Sequence, residues 1–481
     1  MKEEPPTFFT KEPAYDTKDT PHRSRCHPSS QVSLETLARI VPETTVAEVL
    51  KECNATERRT RKLSAAFVVI LCVAMNLYTN DCISHVFFRL LSRVRWLLAD
   101  PTMAVGVSKG ALCQARYRLG ARPLVALFKR ICSKPLAEPE TVPEAFLFGL
   151  RLMAVDGTVL DLPDTPENVR VFGKRHSPRG TSAWPQARVV AISECATHAV
   201  LEAGVWPHDF DERAAALRLL RGVGEGVLLL WDRGLHSFEM VQATLARGCE
   251  LLGRLPQTVK PGPPVATLSD GTQLVWVRPS EYERRKRGER VLVRLICYTL
   301  EDPNRPGHHI EHRLITSLVD PERAAAKELV VAYHSRWEFE LAMDEIKSHQ
   351  RAPHTPVRSK KAVGVVQEIY GLLIAHYVVR AVMVEAAEKA ALPPSRLSFT
   401  NTLRLIREMI PEAQRTAKAD HARLYRGLLE DVAARPLAPR ANRCNPRVVK
   451  RKMSKFRVKS PSHRNWPQPT KPFQEAVVLL N

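Results

Sequence analysis

Three carboxylates from distant parts of this chain stand where chemistry could be done. Asp156 lies in LMAVDGTVL, Asp232 in LLLWDRG and Glu340 in YHSRWEFELAMDEIK. The first sits in a run that reads as a buried strand, the second ends another such run, and the third is on a helix. A carboxylate among apolar neighbours is costly unless it is paired, hydrogen-bonded or bound to a metal. Asp-Gly is also a common hairpin signal, and Asp232 also reads as a capping or turn residue. Apolar residues on both sides of Asp156, and the continuation TVLDLP, make a turn there less economical. Asp161 and Asp164, in the Pro-rich DLPDTPE, are its close rivals.

Glu340 needs more geometry. On an unbroken helix at 100° per residue, Tyr333, Arg336, Glu340 and Lys347 fall within about 60° of one another. Ala332, Phe339, Met343 and Ile346 form the neighbouring apolar stripe. The polar set therefore borders a buried face, while Glu338 and Glu345 point elsewhere. Asp344 lies about 40° from Glu340 and rivals it on geometry alone. Intrahelical pairing, for example Arg336 with Glu340, would explain the charges but not their alignment beside the stripe.

Carboxylates suit hard, oxygen-liking ions such as Mg²⁺, with Mn²⁺ as substitute. Two such ions about 4 Å apart can activate an attacking oxygen and stabilise a leaving oxygen on one phosphate. In that arrangement Asp156 bridges both ions, and Asp232 and Glu340 each hold one. Arg336 can grip a phosphate bidentately, Lys347 as a point charge, and Tyr333 by donating its hydroxyl proton. Water or a 3′-hydroxyl would be the nucleophile.

The rest of the chain suits a polyanionic partner. Its 481 residues carry a formal charge of +21 and a pI near 9.8, although 51 residues are acidic. This favours DNA or RNA. Length and 44% apolar content predict two or three domains. Ten cysteines include no CxxC pair, so a structural zinc site has no support. The polar, Pro-rich N-terminus is unlike a signal peptide, and the apolar window at 65–75 is too short to span a bilayer. A cytoplasmic protein is expected.

The elements that must position the three acids follow from pattern. Residues 1–32 read as a disordered basic segment and 33–140 as a helical N-terminal DNA-binding domain. Within it, residues 106–130 give two short helices broken at Gly120, with Arg and Lys at exposed-looking positions suited to a DNA backbone or groove. Residues 141–256 alternate strand and helix as a mixed α/β layer. GVLLLWDRG is apolar on both faces, hence a central strand. Residues 257–320 are β-rich, with a very basic connector at Arg284, Arg285, Lys286 and Arg287. Helix resumes over 321–390, where 367–390 packs on the sheet. Residues 391–481 form a C-terminal region. Its stretch from Arg440 to Arg464 holds ten Lys or Arg and no acid, as a mobile phosphate-binding arm would.

Tyr333-x2-Arg336-x3-Glu340-x6-Lys347 resembles the Y-R-E-K signature of IS4-type bacterial transposases. VDGT at Asp156 and WDRG at Asp232 resemble the other two acidic regions of their DDE catalytic domain, and residues 33–130 resemble their N-terminal domain. The resemblance implies an α/β, RNase H-like mixed sheet flanked by helices, with the β-rich insertion between the second aspartate and the glutamate. It resolves Glu340 against Asp344. It implies cutting of element ends at inverted repeats, joining of 3′-hydroxyl ends to target DNA, two metal ions per site and a homodimer on DNA. Trp276 is the counterpart of an insertion tryptophan that holds a flipped base in one relative. SFTNTLRLIREM, after Lys347, fits the relatives only loosely. Two other readings stay open: a metal-dependent nuclease without strand transfer, and a non-catalytic DNA-binding protein derived from a transposase.

Overall fold

The computed structural model describes residues 41–57, 59, 63–91, 107–178, 180–279, 290–351, 355–415, 418–439, 448–449 and 457–480. The segment 1–32, the Arg284–Arg287 connector and most of the Arg440–Arg464 stretch lie outside them. The chain forms two compact units. One holds the described residues up to Ala145 together with Asp156–Gly222 and Glu338–Pro436; the other holds Phe146–Val155, Val223–Trp337 and the described residues from Leu437 onward.

The first unit is built on helices. They are α1 (Glu43–Glu52), α2 (Ala65–Leu77), α3 (Ile83–Leu91), α4 (Lys109–Leu119) and α5 (Arg122–Cys132). The Ser64 and Ser108 hydroxyls cap α2 and α4 by accepting from the Phe67 and Ala111 amides. Gly120, at φ 75, separates α4 from α5 as its sequence suggests.

Strand β1 (Leu150–Asp161) contributes its second half to this unit. There β2 (Lys174–Ser177), β3 (Gly180–Glu194) and β1 are neighbours in that order, and β4 (Val200–Pro207) pairs antiparallel with β3. Helices α6 (Pro166–Phe172) and α7 (Glu212–Leu219) flank them.

In the second unit the first half of β1 pairs parallel with β5 (Val227–Trp231), which pairs parallel with β6 (Glu250–Arg254). All five residues of β5 are buried, as a central strand requires. Helix α8 (Phe238–Leu245), capped by Ser237, packs on β6.

The β-rich insertion does not form a sheet of its own. Its strands β7 (Ala266–Thr267), β8 (Gln273–Val277), β9 (Val291–Leu300) and β10 (His312–Thr316) extend from β6 in the order β6-β10-β9-β8-β7. These added pairings are antiparallel. A mixed sheet flanked by helices is the RNase H-like arrangement implied by the sequence.

Helix α9 (Ala326–His334) closes the second unit's core, and α10 (Trp337–Asp344) runs into a π turn over Glu345–His349. Then α11 (Ala362–Lys389), α12 (Phe399–Arg415) and α13 (His421–Ala433) complete the first unit. Helix α11 is expected on the sheet. It touches β4, where Tyr370 Oη donates to the Ala203 carbonyl at 3.2 Å, but it packs chiefly on α2, α5 and α13. A Cβ at Gly371 would sit 2.6 Å from the Cys72 carbonyl oxygen, so glycine lets α11 and α2 approach closely. Helix α11 is long and apolar enough to cross a bilayer, yet 94% of its apolar window is buried inside the protein. That is the burial of a core helix.

The C-terminal residues are also built in. Strand β11 (Val477–Leu479) pairs antiparallel with β9, and Asp302 accepts from the Thr470 and Lys471 amides.

Candidate active site

Asp156 lies inside β1, with no turn at the Asp-Gly step; its Oδ1 accepts from the Gly157 amide at 2.8 Å. A Cβ on Gly157 would collide with the Glu212 carboxyl group, itself paired with Arg188 at 2.7 Å. This close approach, rather than a hairpin, accounts for the glycine. The rivals are engaged elsewhere: Asp161 accepts from Gln186 Nε2 at 2.8 Å, and Asp164 pairs with Lys174 at 2.8 Å.

Asp232 follows the last residue of β5. Its Oδ1 accepts from the Gly234 amide at 2.8 Å and the Leu235 amide at 3.3 Å, which fixes the strand-end turn. The ladder of β1 with β5 ends at Val155 opposite Trp231, and an aspartate follows each of these residues. Trp231 is fully buried, and its indole lies where a side chain on Gly253, its partner on β6, would otherwise be.

The helix expected to be continuous from Tyr333 to Lys347 is not. Helix α9 stops at His334, Ser335 and Arg336 form a turn, and α10 starts at Trp337. The π turn then adds a residue to the winding, with the Gln350 amide donating to the Glu345 carbonyl at 2.7 Å. Uniform 100° steps therefore do not relate Tyr333 to Lys347. The apolar stripe survives the breaks: Ala332, Phe339, Met343 and Ile346 are all buried.

Tyr333 was expected at a phosphate. It is 8% exposed, and its hydroxyl donates to the Trp231 carbonyl at 3.3 Å, directly before Asp232. Burial pushes its phenol pKa up, so the hydroxyl keeps its proton. Arg336 is buried, with its guanidinium carbon 5.6 Å from the Trp337 ring centroid. Lys347 is half-buried, and its Nζ donates to Thr158 Oγ1 at 2.9 Å, two residues beyond Asp156. Burial lowers its pKa, against the charges of Asp161 and Asp344. Glu340 is half-exposed on α10. Asp344 faces solvent, pairing with His349 at 3.2 Å. Trp276 is half-exposed on β8, with the Arg290 guanidinium carbon 4.1 Å from its ring centroid.

The spacing argument missed a charged cage in the first unit. Glu345 is buried rather than turned away, and holds three partners. Arg380 Nε donates to it at 2.9 Å, and His198 Nδ1 and His376 Nε2 each lie 3.1 Å from its oxygens. A second Arg380 nitrogen meets both Glu345 and His198. His198 Nε2 reaches Glu338 Oε2 at 2.7 Å, two residues before Glu340. Burial opposes ionisation of Glu345, but Arg380 and His198 outweigh it and hold its carboxyl well below the usual range. Burial lowers the His376 pKa and favours the neutral ring. His198 sits at φ 59, a conformation few non-glycine residues adopt. A signal was available in the sequence: His376 and Arg380 stand four apart and are the only ionisable residues other than tyrosine between Ile369 and Val384.

Of the basic residues in α4 and α5, Arg116 is buried, donating to Ser359 Oγ at 3.0 Å and the Gly364 carbonyl at 3.1 Å. Arg130 pairs with Glu48 at 3.2 Å and Glu52 at 2.5 Å. Lys109, Arg118, Arg122 and Lys129 are exposed. Among the described residues, no group of three or more His, Cys, Asp or Glu is gathered to hold a metal ion. Asp156, Asp232 and Glu340 fit a hard divalent ion in donor type, since all three offer only carboxylate oxygens.

Comparison with known proteins matches two family models. "Insertion element 4 transposase N-terminal" covers residues 31–129 and "Transposase DDE domain" covers residues 147–378. The chain is 28% identical over 418 residues to the Escherichia coli K12 protein "Transposase InsG for insertion sequence element IS4", spanning 85% of this chain and 90% of that one. It is 28% identical over 226 residues to "Putative transposase InsZ" of the same organism, spanning 46% of this chain and 71% of that one. Among solved structures, a piggyBac transposase synaptic complex with hairpin DNA aligns at a TM-score of 0.43 and 12% identity, covering 84% of this chain and 88% of that one.

Proposed function

This chain belongs to the IS4 family of DDE transposases, and we propose that it binds inverted repeats at the ends of an element, cleaves there, and joins the 3′-hydroxyl ends to target DNA. The DDE domain makes it an enzyme. The observation that carries the finer reading is the order and setting of the acids. Asp156 and Asp232 follow paired positions on adjacent parallel strands, and Glu340 follows on a helix within the Y-R-E-K spacing.

Asp156, Asp232 and Glu340 would hold two Mg²⁺ ions, with Mn²⁺ as substitute, which supply Lewis acidity and an activated oxygen nucleophile. The chain's own groups do the positioning. Tyr333 holds the Trp231 carbonyl and so sets the angle at which Asp232 leaves β5. Lys347 ties the π turn to Thr158, just beyond Asp156, and its ammonium is a point charge for a phosphate. Arg336 supplies a planar fork for a second phosphate. The Arg284–Arg287 connector contacts flanking DNA, and Trp276 offers a face to a displaced base. The working form is a homodimer on double-stranded DNA in the bacterial cytoplasm.

The test is cleavage and strand transfer on matched element ends with Mg²⁺ or Mn²⁺. Asp156→Ala, Asp232→Ala and Glu340→Ala should each abolish cleavage while end binding survives. Cleavage retained in one variant removes that residue from the centre. Ends released by wild type but never joined would make the protein a nuclease.

A further inference from the structure

From Asn168 to Ser193 the chain has no acidic residue, in a protein with 51 of them, and carries Arg170, Lys174, Arg175, Arg179 and Arg188. This stretch contains α6 and the β2–β3 hairpin. Two of its cations are used internally: Lys174 pairs with Asp164 and Arg188 with Glu212. Arg170, Arg175 and His176 are exposed, and Trp184 is 44% exposed. Among the described residues neither Arg170 nor Arg175 has an ion-pair partner, and the exposed Trp184 indole lies on the same hairpin as Arg175.

The hairpin is braced. His176 Nδ1 meets Thr181 Oγ1 at 2.8 Å, the Arg175 amide donates to Ser182 Oγ at 3.1 Å, and Ser182 Oγ donates to the Trp184 carbonyl at 2.8 Å. The register jumps from Lys174↔Pro185 to His176↔Thr181, so Arg175 faces a bulge that contains Trp184. The root is fixed to the end of β1, where Gln186 Nε2 donates to Asp161 and the Leu162 amide donates to the Pro185 carbonyl. Asp161 is five residues along β1 from Asp156. At about 3.3 Å per residue, Trp184 stands roughly 23 Å from Asp156 along the strand direction. That distance spans about seven base pairs of duplex at about 3.4 Å each.

We propose that the β2–β3 hairpin is a DNA-gripping arm. Arg170 and Arg175 meet backbone phosphates, and the Trp184 indole packs against the duplex about seven base pairs from the scissile phosphate. The proposal rests on the transposase reading. It adds a contact region between the N-terminal helices and the insertion in sequence, where the motifs assign nothing.

The experiment uses the full-length protein and a duplex carrying an element end, with binding measured across salt and hydroxyl-radical footprinting at one salt. Trp184→Ala should weaken binding about tenfold, as truncation of a tryptophan contact at an interface does, and Trp184→Phe should recover most of it. Arg170→Ala with Arg175→Ala should weaken binding and lower the slope of log K against log salt by about 1.8, two phosphates' worth. Both should erase protection centred about seven base pairs from the cut and leave protection elsewhere. Wild-type binding, slope and footprint in these variants would overturn the arm alone. A wild-type protein that binds no duplex would overturn the transposase reading and the arm with it.

Discussion

The helix that carries Glu340 is held by charge, and the strand that carries Asp232 is held by packing. Glu338 and Glu345, on either side of Glu340, are tied to His198, His376 and Arg380. Asp232 instead leaves a strand of five buried apolar residues, with Trp231 over Gly253, a hydrogen bond from Tyr333 to the Trp231 carbonyl, and neutral backbone amides donating to its own carboxylate. A charged cage fixes direction because every partner has a defined angle, but removing one member strands the others in low dielectric. An apolar support tolerates the loss of a polar contact and responds to volume.

That contrast can be broken from either side. Arg380→Ala should have the largest effect, about 3–5 kcal/mol of stability, because the Glu345 carboxylate loses its main counter-charge while still buried. A denaturant melt reads it, and a loss under ~1 kcal/mol would mean the cage is not held by charge. Gly253→Ala should come next at about 1–3 kcal/mol, since the new methyl must displace the Trp231 indole. The same melt should show it, with a changed Trp emission. Tyr333→Phe should cost about 1 kcal/mol, one hydrogen bond, and lower the cleavage rate more than it weakens DNA binding. A loss confined to DNA binding would return Tyr333 to a phosphate.

Acid offers the finest test. The pKa of Glu345 is depressed on folding from its ordinary 4.5 and that of His376 from 6.5. Both groups therefore contribute stability that is fully present above those ordinary values and lost as pH falls through the folded ones. Stability should decline below pH 6.5 and further below 4.5, and Glu345→Gln should shrink the lower decline. An identical acid limb in that variant would remove Glu345 from the account.

Local pattern made much of this legible. Gly120 separates two short helices as its sequence suggests, and VLLLW is a central strand because all five of its residues are apolar. The acids could be placed on strands and a helix because burial and period show in composition. The breaks at Ser335 and Glu345 could not, because a helical wheel assumes one uniform step and the departures are set by tertiary contacts. The cage was half hidden for a related reason. His376 and Arg380 stand out in apolar surroundings, but Glu345 reads as solvent-facing until the fold brings His198 and Arg380 to it. The place of β11 was equally invisible, since three apolar residues after a basic stretch carry no sign of which strand they join.

Helix α11 sets a timetable. Its packing partners α2 and α5 end by Cys132, but α11 itself begins at Ala362. During synthesis at roughly 5–20 residues per second, those partners wait some tens of seconds for the helix that covers them. When α11 leaves the ribosome it is, for a moment, an exposed segment with the length and greasiness of a membrane span. The nascent chain must therefore be shielded twice, first along α2 and then along α11, before the two can hide each other.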